Sequence, residues 1–297
     1  MKQSKKMDID KILSEIEGRR GYSYEQYVNV EGMNIRYAVL GDGPPLLLLH
    51  GFGEFLETWD FNFRFLSEHY QVYIIDLPGH GLSDKPYVEY NIAFFTEFIA
   101  DFMDTLAIER ASIIGHSFGG AIAISIATRF PKRVDRIVLE SCFGLSNDIS
   151  LLHKLCSIPV MGNVDTSDPS VKSALEHRAR MEFYNPDSVA HEIAGMSYRF
   201  MQMAESRRVM LNIMHNWVGI NGLKPEVVMI DRLQLIECPT LLVHGTQDSI
   251  HPVELSEKAY QLIPKSHLKL FNECGHCPHI EKAEEFNETS LSFLDTG

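Results

Sequence analysis

The sequence predicts an α/β fold with a mostly parallel, doubly wound sheet and an inserted helical cap. Short, uninterrupted apolar runs alternate with helical patterns along most of the chain, as expected for strands that are buried on both faces. Between about residues 146 and 222 the strands stop recurring and the pattern is helical throughout. A helical stretch between two strands indicates a cap that is inserted into the sheet domain.

The predicted elements begin with a hairpin over Tyr27–Leu40, whose turn is at Glu31-Gly32. The strands expected after it are Leu46–Leu49, Val72–Ile75, Ala111–Ile114, Arg136–Leu139, Pro239–Val243 and His267–Phe271. The helices expected between and after them are Ile92–Leu106, Gly119–Arg129, Val253–Leu262 and Glu284–Leu294. The chain is therefore divided into a core of residues 21–145 and 223–297, a cap of residues 146–222 and an N-terminal arm of residues 1–20.

The N-terminal arm has apolar residues at helical spacing, namely Ile9, Ile12, Leu13 and Ile16. They predict an amphipathic helix that packs on the body of the protein or, as the alternative, binds a partner or a membrane surface. The arm lacks the apolar core of a secretion signal, and no apolar run in the chain is long enough to span a membrane.

The net charge argues against a nucleic-acid partner, and the cysteine content argues against a disulfide-stabilised fold. The chain of 297 residues has a net charge of −13, and a nucleic-acid partner is not expected because phosphate binding needs clustered Lys and Arg. Its five cysteines have no regular spacing, which argues against a disulfide framework. A reducing, cytoplasmic location fits this pattern best.

The strongest local motif is Gly115-His116-Ser117-Phe118-Gly119, which lies between a predicted strand and a predicted helix. A G-x-S-x-G sequence in that position is a nucleophile elbow. The turn is so tight that the residues around the serine must be nearly free of side chain, which explains the two glycines. The serine is expected in a strained conformation that lifts its hydroxyl above the sheet, close to the N-terminal N–H groups of the following helix.

A serine hydroxyl needs a base to become a nucleophile, and the base needs an orienting acid. In a sheet of this kind the expected chain order is serine, then aspartate or glutamate, then histidine. Asp248 follows the strand that ends at Val243-His244-Gly245, and His276 follows the next strand. The 28 residues from 248 to 276 leave room for one helix and one strand, which is the predicted pattern between them.

Taken in order, these motifs resemble those of the capped hydrolases of the α/β-hydrolase fold superfamily. The resemblance covers nearly the whole chain from Tyr27 onward and rests on His50-Gly51, Asp76-x-x-Gly79-x-Gly81-x-Ser83, Gly115-x-Ser117-x-Gly119, Asp248 and Gly275-His276. It implies that Ser117 is the nucleophile, His276 the general base and acid, and Asp248 the orienting carboxylate.

The resemblance also implies an oxyanion hole formed by the backbone N–H groups of Phe52 and Phe118, because the N–H group of Ser117 faces the wrong way. Glu140, at the end of the following strand, is a weaker candidate for the acid, since some family members carry the acid there. We expect Asp248 to be the acid because its loop matches the commoner pattern.

The sequence Cys274-Gly275-His276-Cys277 could also be a redox motif. A thioredoxin-type C-x-x-C precedes a long helix and much of a βαβ domain, but only twenty residues follow Cys277. A zinc site at Cys274, Cys277 and His279 would compete for the loop that holds His276. We therefore expect no metal and no cofactor. The other histidines near the strand ends are interpreted as hydrogen-bonding scaffolds, namely His50, His80, His116, His244 and His251.

The identity of the nucleophile narrows the reaction. Dehalogenases and epoxide hydrolases of this fold use aspartate, so Ser117 excludes their chemistry. Ring-fission C–C hydrolases use serine but typically carry the sequence HGGGPG, whereas this chain has His50-Gly51-Phe52-Gly53-Glu54. The resemblance therefore implies hydrolysis of carboxylic esters with short to medium acyl chains through an acyl-enzyme intermediate.

Two alternatives stay open. The same triad could hydrolyse a C–C bond or a thioester, and the same fold could serve as a non-catalytic receptor, although a receptor should show a broken triad. The expected partner is a small-molecule ester, and the chain could act alone or as a homodimer.

The predicted cap contains seven of the twelve methionines of the chain. Methionine suits surfaces that adapt to apolar ligands of varied shape. Met210, Ile213, Met214 and Trp217 fall at helical spacing, and this stripe would either face the substrate or dock the cap on the core. The residues predicted to bind substrate are Phe52, Phe118, Met214 and Trp217.

Overall fold

The computed structural model describes residues 24–147, 173, 177, 180–186, 188–219 and 221–296. Its strands are β1 (Glu25–Val30), β2 (Met33–Leu40), β3 (Pro45–Leu49), β4 (Gln71–Ile75), β5 (Ala111–His116), β6 (Val134–Glu140), β7 (Val218–Gly219), β8 (Gly222–Leu223), β9 (Thr240–Gly245) and β10 (Ser266–Phe271). Its α-helices are α1 (Asp60–Leu66), α2 (Ile92–Thr105), α3 (Phe118–Arg129), α4 (Ser188–Gln202), α5 (Ala204–Trp217), α6 (Glu254–Leu262), α7 (Pro278–Glu281) and α8 (Ala283–Leu294).

Eight of these strands form one sheet in the order β1-β2-β4-β3-β5-β6-β9-β10. β1 pairs antiparallel with β2, and β2 antiparallel with β4, while every other pair in this sheet is parallel. The predicted mostly parallel sheet is therefore confirmed. Because parallel strands end at one edge of the sheet, the loops after β3, β5, β6, β9 and β10 meet there.

The central strands are buried on both faces, as their continuous apolar sequences require. Within β3, Leu47 and Leu49 belong to the apolar core on one face, and Leu46 and Leu48 belong to the core on the other. All four side chains are fully buried. This double burial removes the alternation of polar and apolar residues that marks a half-exposed strand.

The region between β6 and β9 contains helices α4 and α5, which agrees with the helical pattern of the sequence. It is not helical throughout, because β7 and β8 form an antiparallel pair at its end, with Val218 opposite Leu223. Most of the predicted cap before α4 lies outside the described residues, and so does the N-terminal arm. In the part of the chain that is described, no helix is both long and apolar enough to cross a bilayer.

Candidate active site

Ser117 lies directly between β5 and α3 in a left-handed backbone conformation, with φ 48° and ψ −108°. Such a conformation is strained for a residue with a side chain and is common at functional sites. A Cβ atom at Gly119 would collide with the carbonyl oxygen of Leu49, so the elbow packs on the neighbouring strand only with glycine at this position. The sequence-predicted elbow therefore has the backbone geometry that the motif requires.

The backbone of Ser117 is fixed by the neighbouring strand and loops. Its N–H group donates to the carbonyl oxygen of Glu140 at 2.8 Å, and its carbonyl oxygen accepts from Phe143 N at 3.0 Å. The serine N–H is thus engaged below the elbow and cannot bind an oxyanion above it. The Ser117 residue as a whole is 8% exposed, so little of it is open to solvent.

Asp248 and His276 are joined by a short hydrogen bond. The Nδ1–H group of His276 donates to Asp248 Oδ2 at 2.7 Å. The other oxygen of Asp248, Oδ1, accepts from the backbone N–H groups of Ile250 at 2.7 Å and His251 at 3.0 Å. Burial alone would raise the pKa of Asp248, but the facing His276 and His244 rings hold it well below its usual value. The carboxylate is therefore ionised and fixed in orientation.

The ring of His276 lies beside the elbow. Its centroid is 4.9 Å from that of His116, the residue before Ser117, and 5.1 Å from that of His251. Its backbone N–H group donates to Glu182 O at 2.7 Å. Among the hydrogen bonds of the described residues there is none between Ser117 Oγ and His276 Nε2. Pairs of nucleophile and base commonly tighten only when substrate binds.

The two predicted oxyanion donors come from the loop after β3 and from the start of α3. Phe118 is the first residue of α3, where backbone N–H groups have no partner within the helix. The ring of Phe52 lies 6.1 Å from that of Phe118, so the two segments face each other across the elbow. Gly51 N donates to Glu54 Oε2 at 2.7 Å, which fixes the loop that carries Phe52.

Glu140, the weaker candidate for the acid, has a different partner. Its Oε1 accepts from His279 N at 2.7 Å and contacts His279 Nδ1 at 2.9 Å. The structure thus places Asp248, and not Glu140, against His276. Glu140 and His279 are both fully buried.

A second buried set of polar side chains lies beneath the elbow. His116 has one carboxylate near each ring nitrogen, because Nε2 is 3.3 Å from Glu54 Oε1 and Nδ1 is 3.6 Å from Glu140 Oε2. Burial alone would lower the pKa of His116, but the facing Glu54 carboxylate raises it to about 9. The same contact lowers the pKa of Glu54 well below its usual value against the effect of burial.

By residue type this set could hold a cation. Ligand atoms of Glu54, His116 and Cys277 lie within 4.8 Å of one another, and so do those of His116, Glu140 and His279. The hydrogen bonds to His279 already use Glu140 Oε1, and His116 Nε2 faces the Glu54 carboxylate at 3.3 Å. His116 Nδ1 and Glu140 Oε2 are 3.6 Å apart and form no hydrogen bond. The arrangement therefore fits a buried ion pair of His116 and Glu54 beside the hydrogen-bonded pair of Glu140 and His279. The zinc set of Cys274, Cys277 and His279 is not among the groups with metal-ligand spacing in the described residues.

The two cysteines that flank His276 are buried and unoxidised. Cys274 is 0% exposed and Cys277 is 2% exposed, and both are free thiols. Burial raises the pKa of each thiol, so both are protonated at neutral pH. Cys277 Sγ lies 4.0 Å from His116 Nε2, but burial outweighs this neighbour and keeps the thiol protonated.

The predicted substrate-binding residues of the cap pack against the core. Trp217 at the end of α5 is 2% exposed, stacks on the ring of Phe118 at 4.3 Å and donates from Nε1 to Tyr90 O at 2.8 Å. Met214 is 7% exposed and belongs to the same apolar core as Phe118. These contacts agree with the docking interpretation of the stripe, and they place Trp217 against Phe118 at the start of α3.

Sequence reasoning missed several residues that support the site. Glu54 links the loop after β3 to His116, and Ser256 in α6 contacts His244, which in turn contacts Asp248. These partners are brought together only by the tertiary fold. The sequence offered two signals for these contacts. They were the glutamate three residues after His50-Gly51 and the histidine near the end of β9.

Comparisons with known proteins identify the family. The sequence model of the alpha/beta hydrolase family matches residues 46–289. An uncharacterized protein of Mycobacterium bovis is 31% identical over 91% of this chain and 81% of its own length. The 2-hydroxy-6-oxo-2,4-heptadienoate hydrolase of Pseudomonas putida is 28% identical over 86% of this chain and 90% of its own length. The crystal structure of a serine hydrolase involved in carbazole degradation, the CarC enzyme, has a TM-score of 0.78 at 26% identity and covers 92% of this chain and 99% of its own. The chain therefore belongs to the alpha/beta hydrolase family.

Proposed function

We propose that this protein is a serine hydrolase that cleaves carboxylic esters of short to medium acyl chains through an acyl-enzyme intermediate. Ser117 is the nucleophile, His276 the general base and acid, and Asp248 the orienting carboxylate. The observation that carries the proposal is the strained conformation of Ser117 beside an imidazole whose Nδ1 is held at 2.7 Å by Asp248. Such a base presents Nε2 for proton transfer.

In the first half of the reaction, His276 Nε2 accepts the proton of Ser117 Oγ while that oxygen attacks the carbonyl carbon of the ester. The negative charge on the former carbonyl oxygen is stabilised by the N–H groups of Phe52 and Phe118. When the tetrahedral intermediate collapses, the C–O bond to the alcohol breaks, and His276 gives its proton to the alcohol. Water then repeats the sequence on the acyl-enzyme, which releases the carboxylic acid and restores Ser117.

The aromatic residues around the elbow support an uncharged acyl group. Phe52, Phe118 and Trp217 form a continuous set of ring contacts, and the ring of Phe143 lies 5.9 Å from that of Trp217. A wall of this kind favours apolar acyl groups, and these four described residues carry no charge that would pair with a carboxylate. We propose Phe52 and Phe118 as walls of the acyl pocket, with Met214 and Trp217 as its support from the cap.

Hydrolysis of a C–C bond is the second candidate. It is supported by the similarity to the 2-hydroxy-6-oxo-2,4-heptadienoate hydrolase of Pseudomonas putida, whose substrate is a hydroxy-oxo-dienoate. Such a substrate carries a carboxylate, which the aromatic wall does not favour. The sequence Phe52-Gly53-Glu54 also departs from the glycine-rich loop that is typical of these enzymes. We therefore rank ester hydrolysis first.

The test is a substrate panel with a nucleophile variant. Purified protein is assayed on p-nitrophenyl esters of increasing acyl length and on a 2-hydroxy-6-oxo-dienoate, and labelled with a fluorophosphonate probe. Ser117→Ala should abolish both labelling and turnover, because loss of a triad nucleophile typically costs about 10⁴-fold or more in kcat. Higher kcat/KM on the dienoate than on every ester would make C–C hydrolysis the function. Full activity of Ser117→Ala on all substrates would contradict the serine mechanism.

A further inference from the structure

Asp248 faces two imidazole rings, and only one of them belongs to the expected triad. Asp248 Oδ2 is 2.7 Å from His276 Nδ1 and 3.1 Å from Nε2 of His244, which lies near the end of β9. The second ring is itself held from behind, since His244 Nδ1 is 2.7 Å from the Oγ atom of Ser256 in α6. His244 and Ser256 are both fully buried.

The neighbours of His244 fix where its proton must lie. Its Nε2 faces two acceptors, the carboxylate of Asp248 and the carbonyl oxygen of His251 at 3.0 Å. A bare nitrogen lone pair facing two acceptors would be repelled by both, so Nε2 carries a proton. In the neutral ring Nδ1 is then an acceptor, and the hydroxyl of Ser256 donates to it.

We propose that His244 and Ser256 are positioning residues that share the charge of the orienting carboxylate. Ser256 holds His244 in the Nε2-protonated form, and His244 donates to the same oxygen of Asp248 that binds His276. This inference rests on the proposed function, in which Asp248 orients His276.

Charge sharing has a definite direction of effect. The imidazolium form of His276 is stabilised by negative charge on Asp248 Oδ2, and a second donor to that oxygen weakens this stabilisation. Removing the donor should therefore make His276 more basic. Only the neutral ring of His276 can accept the proton of Ser117, so this donor should favour the reactive form.

Other groups also face His276 and stay in place when His244 or Ser256 is changed. The ring of His116 lies on one side, with Glu54 and Glu140 beside it, and the ring of His251 lies on the other. The groups that face His244 are Asp248, the hydroxyl of Ser256 and the carbonyl oxygen of His251. Because these groups are the same in all variants of the full chain, a difference in the pKa of His276 reports the effect of the hydrogen bond from His244 to Asp248.

The experiment compares His244→Leu, His244→Gln and Ser256→Ala with the wild type. The pKa of His276 is followed by NMR titration of the ring, and kcat/KM is measured against pH on the best p-nitrophenyl ester. Loss of one hydrogen bond to an ionised group commonly changes an equilibrium about tenfold, so His244→Leu should raise the pKa of His276 by about one unit. At a pH below the pKa of His276 in the wild type, kcat/KM of His244→Leu should be about tenfold lower than that of the wild type. At alkaline pH, where the ring is neutral in both proteins, the difference in kcat/KM should be smaller.

The remaining variants test the position of the donor. In His244→Gln the amide N–H group can replace Nε2–H, so the pKa of His276 should stay close to the wild-type value. Ser256→Ala should shift the pKa in the same direction as His244→Leu but by less, because the ring keeps its proton but loses its support. Ser290→Ala is the matched control, since Ser290 is fully buried in α8 and its hydroxyl has no hydrogen-bond partner among the described residues.

An unchanged or lowered pKa of His276 in both His244→Leu and Ser256→Ala, with kcat/KM reduced equally at every pH, would overturn the proposal and make the pair purely structural. If His244→Leu does not fold, Ser256→Ala against Ser290→Ala decides. The NMR titration needs no turnover. An active Ser117→Ala enzyme would therefore refute the proposed function while leaving the measured pKa of His276 to judge the charge sharing.

Discussion

At the scale of single residues, the site contains two buried carboxylates with similar surroundings and different tasks. Asp248 holds His276 at 2.7 Å, and Glu140 holds His279 at 2.9 Å. Both pairs lie at the same edge of the sheet, but only His276 is paired with an aspartate whose second oxygen is fixed by backbone N–H groups. This separate pairing supports the proposal that Asp248 orients His276 and that Glu140 holds the loop of His279.

The first prediction compares the two carboxylates. Asp248→Asn should lower kcat by about 10⁴-fold, because an amide stabilises the wrong tautomer of His276 and cannot balance its charge. Glu140→Gln should reduce kcat far less but lower the midpoint of urea unfolding, since it removes a buried carboxylate charge that faces His116 and His279. Steady-state kinetics and urea titration of both variants provide the test. A larger loss of kcat in Glu140→Gln than in Asp248→Asn would reverse the assignment.

The second prediction concerns the thiols around His276. The double variant Cys274→Ser, Cys277→Ser should keep most of its esterase activity, because burial keeps both thiols protonated and away from redox chemistry. The wild type should not reduce insulin disulfides. Turnover that depends on added dithiol, or loss of activity in a folded double variant, would contradict this interpretation.

At the scale of elements, α5 connects the predicted cap to the site through one side chain. Trp217 stacks on Phe118, whose backbone N–H group is a proposed oxyanion donor, and hydrogen-bonds to the loop before α2 through Tyr90. The stripe on α5 therefore docks the helix on the core, and the same tryptophan contacts a residue of the proposed acyl site.

The third prediction follows from this contact. Trp217→Ala should lower the free energy of unfolding by about 3–5 kcal/mol, as large-to-small changes of buried Trp commonly do. It should also shift the acyl-length profile of kcat/KM toward longer esters while fluorophosphonate labelling of Ser117 persists. Trp217→Phe is the control, since it keeps a ring on Phe118 but loses the bond to Tyr90. An equal loss of kcat/KM for every ester length would make Trp217 structural only.

The elements that sequence predicted well are those whose pattern is local. The apolar strands, the hairpin and the elbow were predictable because burial on two faces and tight turns leave local signatures. Helix α1 was missed, because Phe61, Phe63 and Phe65 alternate as in a strand, and only Phe63 of the three is buried. The contacts of Glu54 and Ser256 could not be predicted, because each joins loops or helices that meet only after the sheet has formed.

At the scale of the whole molecule, one ionic network connects the segments that carry the site. Glu54 belongs to the loop after β3, and His116 is the last residue of β5. Glu140 is the last residue of β6, and its partner His279 lies in α7, next to the loop that carries His276. Each segment is thus fixed to its neighbour by a buried charge or hydrogen bond. Breaking one member of such a set is strongly destabilising because the partner is left buried and unpaired.

The last prediction is a pH dependence of stability from this network. Since the pKa of His116 is raised to about 9 in the folded state, its stabilising effect is complete below about pH 6.5 and is lost as pH rises through 9. A shift of this size corresponds to about 3 kcal/mol. Lys85 titrates in the same range with the opposite sign, because burial lowers its folded pKa to about 8 and its cost disappears at higher pH.

The difference in the pH dependence of stability between the wild type and Glu54→Gln therefore measures how much this ionic network stabilises the fold. Glu54→Gln removes the carboxylate that holds the proton on His116, so the variant should be less stable at pH 6.5 and should lose much less stability between pH 7 and 9.5. Lys85 is common to both proteins, and its contribution cancels. Urea unfolding at closely spaced pH values gives both curves. Parallel curves over this range would mean that His116 is neutral in the folded protein, and that the elbow rests on hydrogen bonds without a buried cation.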